Sequence, residues 1–324
     1  MWVNKRGITK GFITFFLIVV MCLSSAMVKV PASQLQYSSI QSLSACLYRL
    51  NIRADDLHWA DIPTSVDQLH TEMNYFFLAG QLIKNRIVNA NGCPSGGLAL
   101  NDDYANACGM SVAKPSVIHI QNMVNEPILQ AWSDVGVPPV LLKQLISRES
   151  QFWPSNHAVL HFGFGHVTYI GILNALYWNP DLYTEFCSTS AVGNCTTREG
   201  VAYQILLSLD ASCVGCEYGI HPAAADKSVH ILAQVLLGYC YQAEQLVYNA
   251  TGWNPIQAVD YGTMWKLTLM NYNAGPDCVY KAVTEAFKTT KGPVGWADIV
   301  AHTTGDQCIR GLYYAIDITA KHFY

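Results

Sequence analysis

At 324 residues, with 51% hydrophobic and 11% aromatic side chains, the chain has the apolar content to bury a core as one large or two modest domains, which excludes a disordered chain. The formal net charge is -4, from 19 Lys+Arg against 23 Asp+Glu, and no long basic run is present. Neutralising a duplex's phosphates needs clustered Lys and Arg, so nucleic acid is excluded as a partner.

In chain order, Lys5, Arg6 and Lys10 precede an uncharged run, Gly11–Val28, whose strongest apolar part is Phe12–Leu23, followed by the small residues Ser24, Ser25 and Ala26. That order reads as an export signal. The run is 18 residues long, the lower limit for spanning a bilayer, so residues 1–28 read as a signal peptide or an uncleaved membrane anchor. Contact with a membrane is expected only through this segment, and the rest of the chain is expected outside the cytoplasm. Met21 is too bulky for Cys22 to be a lipid attachment site. Setting Cys22 aside leaves ten of the 11 cysteines, enough for five disulfides in an oxidising compartment. Connectivity is open at this level. The local pairings would be Cys93–Cys108, Cys187–Cys195, Cys213–Cys216 and Cys278–Cys308, with Cys46–Cys240 following by elimination.

Pro31–Ser44 is polar and reads as a linker or mobile arm. The spacing of Val66, Leu69, Met73, Phe76, Phe77 and Ile87 predicts one helix from Ser65, as cap, to about Val88. Gly92–Asn106 is rich in Gly, Asn and Asp and reads as a cystine-closed loop. A second helix is expected over Val117–Val135, then a turn, Gly136-Val-Pro-Pro139, whose proline suits a helix start. Further helices are expected over Val140–Phe152, Gly200–Leu209, Val229–Asn249, Thr263–Asn273 and Gly311–His322, with short irregular or β pieces near Phe162–Thr168. The fold class is mainly α.

The segment Val137–Pro154 carries the chemistry. On a helix, Leu141, Leu142, Leu145, Ile146 and Glu149 share one face, while Lys143, Gln144, Ser147 and Arg148 lie elsewhere. A carboxyl at the end of an apolar stripe is desolvated, and desolvation raises its pKa toward what a general acid needs near neutral pH. A salt-bridged or partly exposed glutamate near a helix end accounts equally well for the helix taken alone.

Three motifs in order decide between them: Glu149-Ser150, then Gly163-Phe-Gly-His-Val-Thr168, then Met270-Asn-Tyr-Asn-Ala-Gly-Pro276. Together they resemble the soluble lytic transglycosylase family, which has a lysozyme-like fold and is related to goose-type lysozyme. The resemblance runs roughly from Pro127 to the C-terminus. Residues 1–28 read as signal or anchor and 29–115 as an N-terminal helical extension with a cystine loop, and the resemblance implies 116–324 as a lysozyme-like transglycosylase catalytic domain. It also implies Glu149 as the single catalytic acid/base, with Ser150, Gly163, Phe164, His166, Tyr272, Asn273 and the late tyrosine Tyr314 binding substrate. The implied partner is the glycan strand of peptidoglycan, cleaved between MurNAc and GlcNAc to leave a 1,6-anhydromuramic end; no cofactor or metal is implied. The chain departs from the family where Leu-Met-Gln becomes Phe164-Gly165-His166, which brings a titratable group into the cleft, so that activity is expected to fall as His166 protonates.

A two-carboxylate hydrolase on the same fold, a muramidase or chitinase-like enzyme, is the first alternative; Asp181, Glu199, Asp210 and Asp260 are second-carboxylate candidates only by elimination. A non-catalytic glycan-binding module is the other. His157, His161 and His166 lack the spacing of a His-Glu-x-x-His metal site, and Cys213-x-x-Cys216 with His221 lacks the second cysteine pair of a zinc finger. The sequons Asn194-Cys-Thr and Asn249-Ala-Thr recur by chance and carry no weight.

Overall fold

The protein is described by a computed structural model covering residues 44–49, 57–100, 103–156, 160–189, 195 and 197–320. The signal or anchor segment, the arm up to residue 43, His157, Asn194 and His322 lie outside the described residues, which all fall within one unit, Ser44–Tyr324. Among them the helices are α1 (Phe76–Lys84), α2 (Ala107–Met123), α3 (Asn125–Val135), α4 (Pro139–Ser150), α5 (Tyr169–Trp178), α6 (Pro180–Thr189), α7 (Arg198–Leu209), α8 (Pro222–Thr251), α9 (Pro255–Ala258), α10 (Tyr261–Ala274), α11 (Pro276–Thr290), α12 (Trp296–His302) and α13 (Asp306–Ala320). A small antiparallel pair, β1 (Ser155–Asn156) and β2 (His161–Phe162), is the sheet between α4 and α5. The fold is mainly helical, as the periodicities predict.

The 30-residue α8 is the axis of the molecule. Pro222 starts it and Gly252, at φ 71°, ends it in the left-handed conformation that glycine adopts without steric cost. Its buried residues recur on more than one face, and α3, α5, α7, α10 and α11 pack around it. A helix enclosed in this way holds its position when the surface changes, so the elements docked on it are precisely registered. α10 in turn packs on α13, where a Cβ at Gly311 would collide with Ala274; only glycine lets these two helices approach so closely.

All five expected disulfides are present: Cys46–Cys240, Cys93–Cys108, Cys187–Cys195, Cys213–Cys216 and Cys278–Cys308. Five disulfides suit an oxidising, extracellular-type environment. Cys46–Cys240 joins residues 194 apart and ties the start of the described chain to α8. Glu244, one turn further along α8, accepts from the Ser44 hydroxyl at 2.6 Å and the Cys46 N–H at 3.0 Å, which reinforces that tie.

The predicted helix from Ser65 to Val88 is a correction. Its first part is a 3₁₀ turn, Val66–Leu69, whose Ser65 makes no side-chain cap, and helix resumes only at Phe76. In between, the backbone is claimed by side-chain amides of α2: Asn122 bonds Thr71 at both N–H and C=O (2.9 and 2.7 Å), and Gln121 does the same for Met73 (3.0 and 3.1 Å). Those bonds satisfy the backbone in an extended conformation, so helix has no advantage there. The predicted Val117–Val135 helix starts earlier, at Ala107, where Asn106 accepts from the Gly109 N–H, and it divides at Val124 into α2 and α3.

Candidate active site

The site is built from the C-terminal end of α4. Gly136 closes α3 in the left-handed conformation (φ 84°), and Pro139 begins α4 where its missing N–H costs nothing. The amphipathic picture of this helix is too narrow: Lys143, Gln144 and Ser147 are buried along with the leucine face. The Lys143 ammonium donates to the Leu69 carbonyl, to Asn125 Oδ1 at 2.7 Å and to Asn122 Oδ1 at 3.2 Å, and burial pushes it down to about 7. Ser147 Oγ meets Tyr75 Oη at 2.9 Å. α4 is thus gripped on every side before it delivers its last turn.

That last turn ends abruptly. Gln151 (φ 47°) and Phe152 (φ 66°) are consecutive non-glycine residues in the left-handed region, which is strained for L side chains. Ser150 holds the turn: its hydroxyl donates to the Ile146 carbonyl at 3.1 Å and accepts the Phe152 N–H at 3.2 Å. Gln151 Oε1 accepts the Phe77 N–H at 2.9 Å, and Phe152 is fully buried against Tyr75, with ring centroids 5.2 Å apart. The strain fixes Glu149 one residue before the break.

Glu149 is mostly buried, and that burial raises its pKa, opposed by the Tyr314 hydroxyl and the Arg148 guanidinium. Tyr314, buried on α13, donates its phenol hydrogen to Glu149 Oε1. Oε1 is therefore occupied as an acceptor, and Oε2 is the atom left to carry an exchangeable proton. Burial and the neighbouring Glu149 charge hold both Tyr272 and Tyr314 well above the usual phenol range, so each is a neutral hydrogen-bonding group at any physiological pH. Arg148, beside Glu149 on α4, forms an ion pair with Asp317 on α13 (Nε–Oδ2 2.8 Å), with its guanidinium 6.0 Å from the centre of the Tyr314 ring.

The loop between β2 and α5 forms the adjoining part. Tyr272 on α10 donates to the Gly165 carbonyl at 2.7 Å, and a Cβ at Gly165 would collide with Leu232 of α8 and lie 3.1 Å from Tyr272 Oη. A larger residue there would have to displace the tip of the Leu232 side chain and press on the Tyr272 hydroxyl, so glycine suits the point where loop, α8 and tyrosine converge. Gly163, at φ 65°, and the fully buried Phe164 serve the loop's packing. His166 is left-handed (φ 50°), its buried Nε2 has no hydrogen-bond partner among the described residues, and His161 lies 5.5 Å away ring to ring. Burial, and the charge His161 can carry, push His166 down to about 4. A desolvated imidazole stays uncharged until the pH falls well below the usual histidine range, so any loss of activity on His166 protonation is confined to that acidic range.

No protein-family model, curated protein or solved structure matches this chain.

The geometry gathers Glu149, Tyr314 and Tyr272, with the His166 loop tied on through Tyr272. Ser150 is engaged in ending α4, and Asn273 is exposed beside Tyr272 on α10. Asp260 caps α10 by accepting the Thr263 N–H at 2.7 Å, and Asp210 accepts the Ser212 N–H at 2.9 Å, so each is committed to local backbone. Sequence reasoning passed over Arg148, Asp317 and Tyr239. Tyr239 meets Tyr272 edge-on at 5.1 Å, and nothing in a helical pattern marks such a partner. The Tyr314–Asp317 spacing of three residues was a usable signal, since it places both on one face of a helix.

Proposed function

We propose that the protein is an exported lytic transglycosylase of peptidoglycan, with Glu149 as its single acid/base and residues 116–324 as a lysozyme-like catalytic domain. The observation that carries this reading is the buried carboxyl of Glu149 at the strained end of α4, one oxygen bonded by Tyr314 and the other left to move a proton. Among the described residues Tyr314 and Arg148 act on Glu149, and the carboxylate on the same face of α13, Asp317, is engaged in an ion pair with Arg148. A mechanism that needs one carboxyl fits that set better than one that needs two.

In the first half of the reaction, protonated Glu149 gives its proton to the oxygen joining MurNAc to GlcNAc. The bond from that oxygen to the muramic C1 breaks, and an oxocarbenium-like centre forms at C1. In the second half the Glu149 carboxylate takes the proton of the muramic C6 hydroxyl, whose oxygen bonds to C1 and closes the 1,6-anhydro ring. Glu149 ends protonated, as it began. Because the nucleophile belongs to the substrate, its effective concentration is that of an intramolecular reaction. Tyr272 and His166, both uncharged near neutral pH, are polar groups suited to sugar hydroxyl and acetamido groups without favouring an ionic competitor.

Glu149→Gln, with purified sacculi as substrate, is the test. It is expected to abolish fragment release while leaving the fold and glycan binding intact; fragment release at the wild-type rate would refute the assignment.

A further inference from the structure

Two cross-helix bonds run side by side between α4 and α13. Adjacent residues of α4, Arg148 and Glu149, are bonded to residues three apart on α13, Asp317 and Tyr314 respectively. The inner bond is the buried carboxyl–phenol contact, and the outer one is half exposed, with the two side chains 49% and 45% accessible. We propose that Asp317 is a positioning residue that holds the Arg148 guanidinium on the outer side of α13 and so keeps it from drawing Glu149 into its carboxylate form.

The physics of the two bonds differs. An exposed ion pair contributes little to stability, so its presence beside a buried acid calls for another role. A guanidinium one residue away from a carboxyl favours the carboxylate, and the Arg148 charge acts on Glu149 in that direction. An acid that must be protonated to start a reaction is weakened by such a neighbour. Asp317 offsets it twice, by drawing the guanidinium onto α13 and by placing a negative charge beside it. Among the described residues, the Tyr314 hydroxyl also favours the Glu149 carboxylate through its hydrogen bond, and Arg148 is the cation that acts on it. Tyr314 on α13 and Tyr272 on α10 stay neutral because burial holds their phenols far above the working range. Lys143, on the preceding turns of α4, is directed to Leu69, Asn122 and Asn125, away from the end of the helix. His58, on the 3₁₀ turn that packs on α4, faces Asp61 at 3.8 Å.

This role rests on Glu149 being the acid proposed above, and the two can fail separately. If the wild-type protein releases no fragments from peptidoglycan, the acid assignment fails. With wild-type turnover established, the pH profiles of three variants decide the role of Asp317. Asp317→Asn is expected to move the basic limb of the kcat profile to lower pH, lowering kcat at neutral pH roughly three- to tenfold with KM unchanged. Arg148→Gln is expected to move that limb in the opposite direction, and adding Asp317→Asn to it is expected to shift the limb clearly less than Asp317→Asn does in the wild-type background. Asp317→Glu is expected to restore the wild-type profile. A purely structural contact would lower activity equally at every pH, so an unshifted limb in Asp317→Asn, or a shift that persists undiminished in the Arg148→Gln background, overturns the proposal. Both positions are half exposed, and should Asp317→Asn fold poorly the Arg148→Gln profile alone still decides: a limb that stays put or moves down contradicts the role.

Discussion

Tyr314 donates to Glu149 across 165 residues of sequence, joining the last turns of α4 to the middle of α13. The bond depends on three separate features of the chain: a strained break after Ser150 that stops α4 at the right place, a glycine at position 311 that lets α13 settle against α10, and the enclosed helix α8 against which α10 packs. A phenol that donates to a carboxylate stabilises its charged form, so Tyr314 opposes the effect of burial on Glu149. Tyr314→Phe removes that opposition. The basic limb of kcat/KM is expected to move to higher pH, while kcat falls roughly tenfold to a hundredfold because the carboxyl is no longer held in one geometry. A pH–rate series on the variant checks both parts.

The raised pKa of Glu149 has a consequence for stability. Burial favours the neutral form, so the stability this group contributes is fully present below its unfolded-chain pKa, about 4.3, and is lost as pH rises through the higher folded value. Glutamine cannot ionise. Glu149→Gln is therefore expected to melt above wild type at pH 7 and close to it at pH 4, measured by calorimetry at the two pH values. An equal or lower melting temperature at pH 7 would mean that the carboxyl is not desolvated.

His166 acts in the opposite sense. Its folded pKa of about 4 lies below the unfolded value of about 6.5, so its share of stability is present above 6.5 and is lost as pH falls toward 4, by at most about 3 kcal/mol. His166→Gln is expected to flatten the stability profile over that window, and the wild-type rate profile is expected to show no ionisation of His166 near pH 6. Chemical denaturation between pH 4 and 7 measures the first, and the acid limb of kcat the second.

Lys143 is a test of what supports α4. Lys143→Met would take this donor from the Leu69 carbonyl and from Asn125 Oδ1, while Asn122 Oδ1 keeps the Thr71 N–H, and buried acceptors that lose a donor are costly. A loss of about 2–5 kcal/mol in unfolding free energy is expected, with the position of the Glu149 limb unchanged in whatever protein remains folded. Denaturant titration gives the first quantity.

Much of this site was legible before any coordinates. Glu149 falls on the same helical face as Leu141, Leu145 and Ile146, and a period of 3.6 residues is enough to see that its carboxyl ends against apolar neighbours. The pairing of Cys46 with Cys240 followed from counting, since the other eight cysteines had local partners. What could not be seen was anything decided by a distant polar group. The residues from His70 to Tyr75 carry a helical apolar spacing, yet the amides of Asn122 and Gln121 hold Thr71 and Met73 extended from about fifty positions away. Lys143 lies off the apolar face in the helical pattern, and its burial was not visible because its acceptors come from three other segments. His166 looked titratable near neutral pH because a sequence does not display burial, and burial is what lowers it.

The fragments released from peptidoglycan decide the proposed function. Mass spectrometry of the fragments that the wild-type protein releases from purified peptidoglycan separates the two chemistries directly. Ring closure by the muramic C6 hydroxyl leaves ends that lack the mass of one water relative to hydrolysed ends. Fragments carrying 1,6-anhydromuramic ends, and none from Glu149→Gln, are the predicted result; fully hydrated reducing ends, or no fragments at all from the wild-type protein, would contradict it.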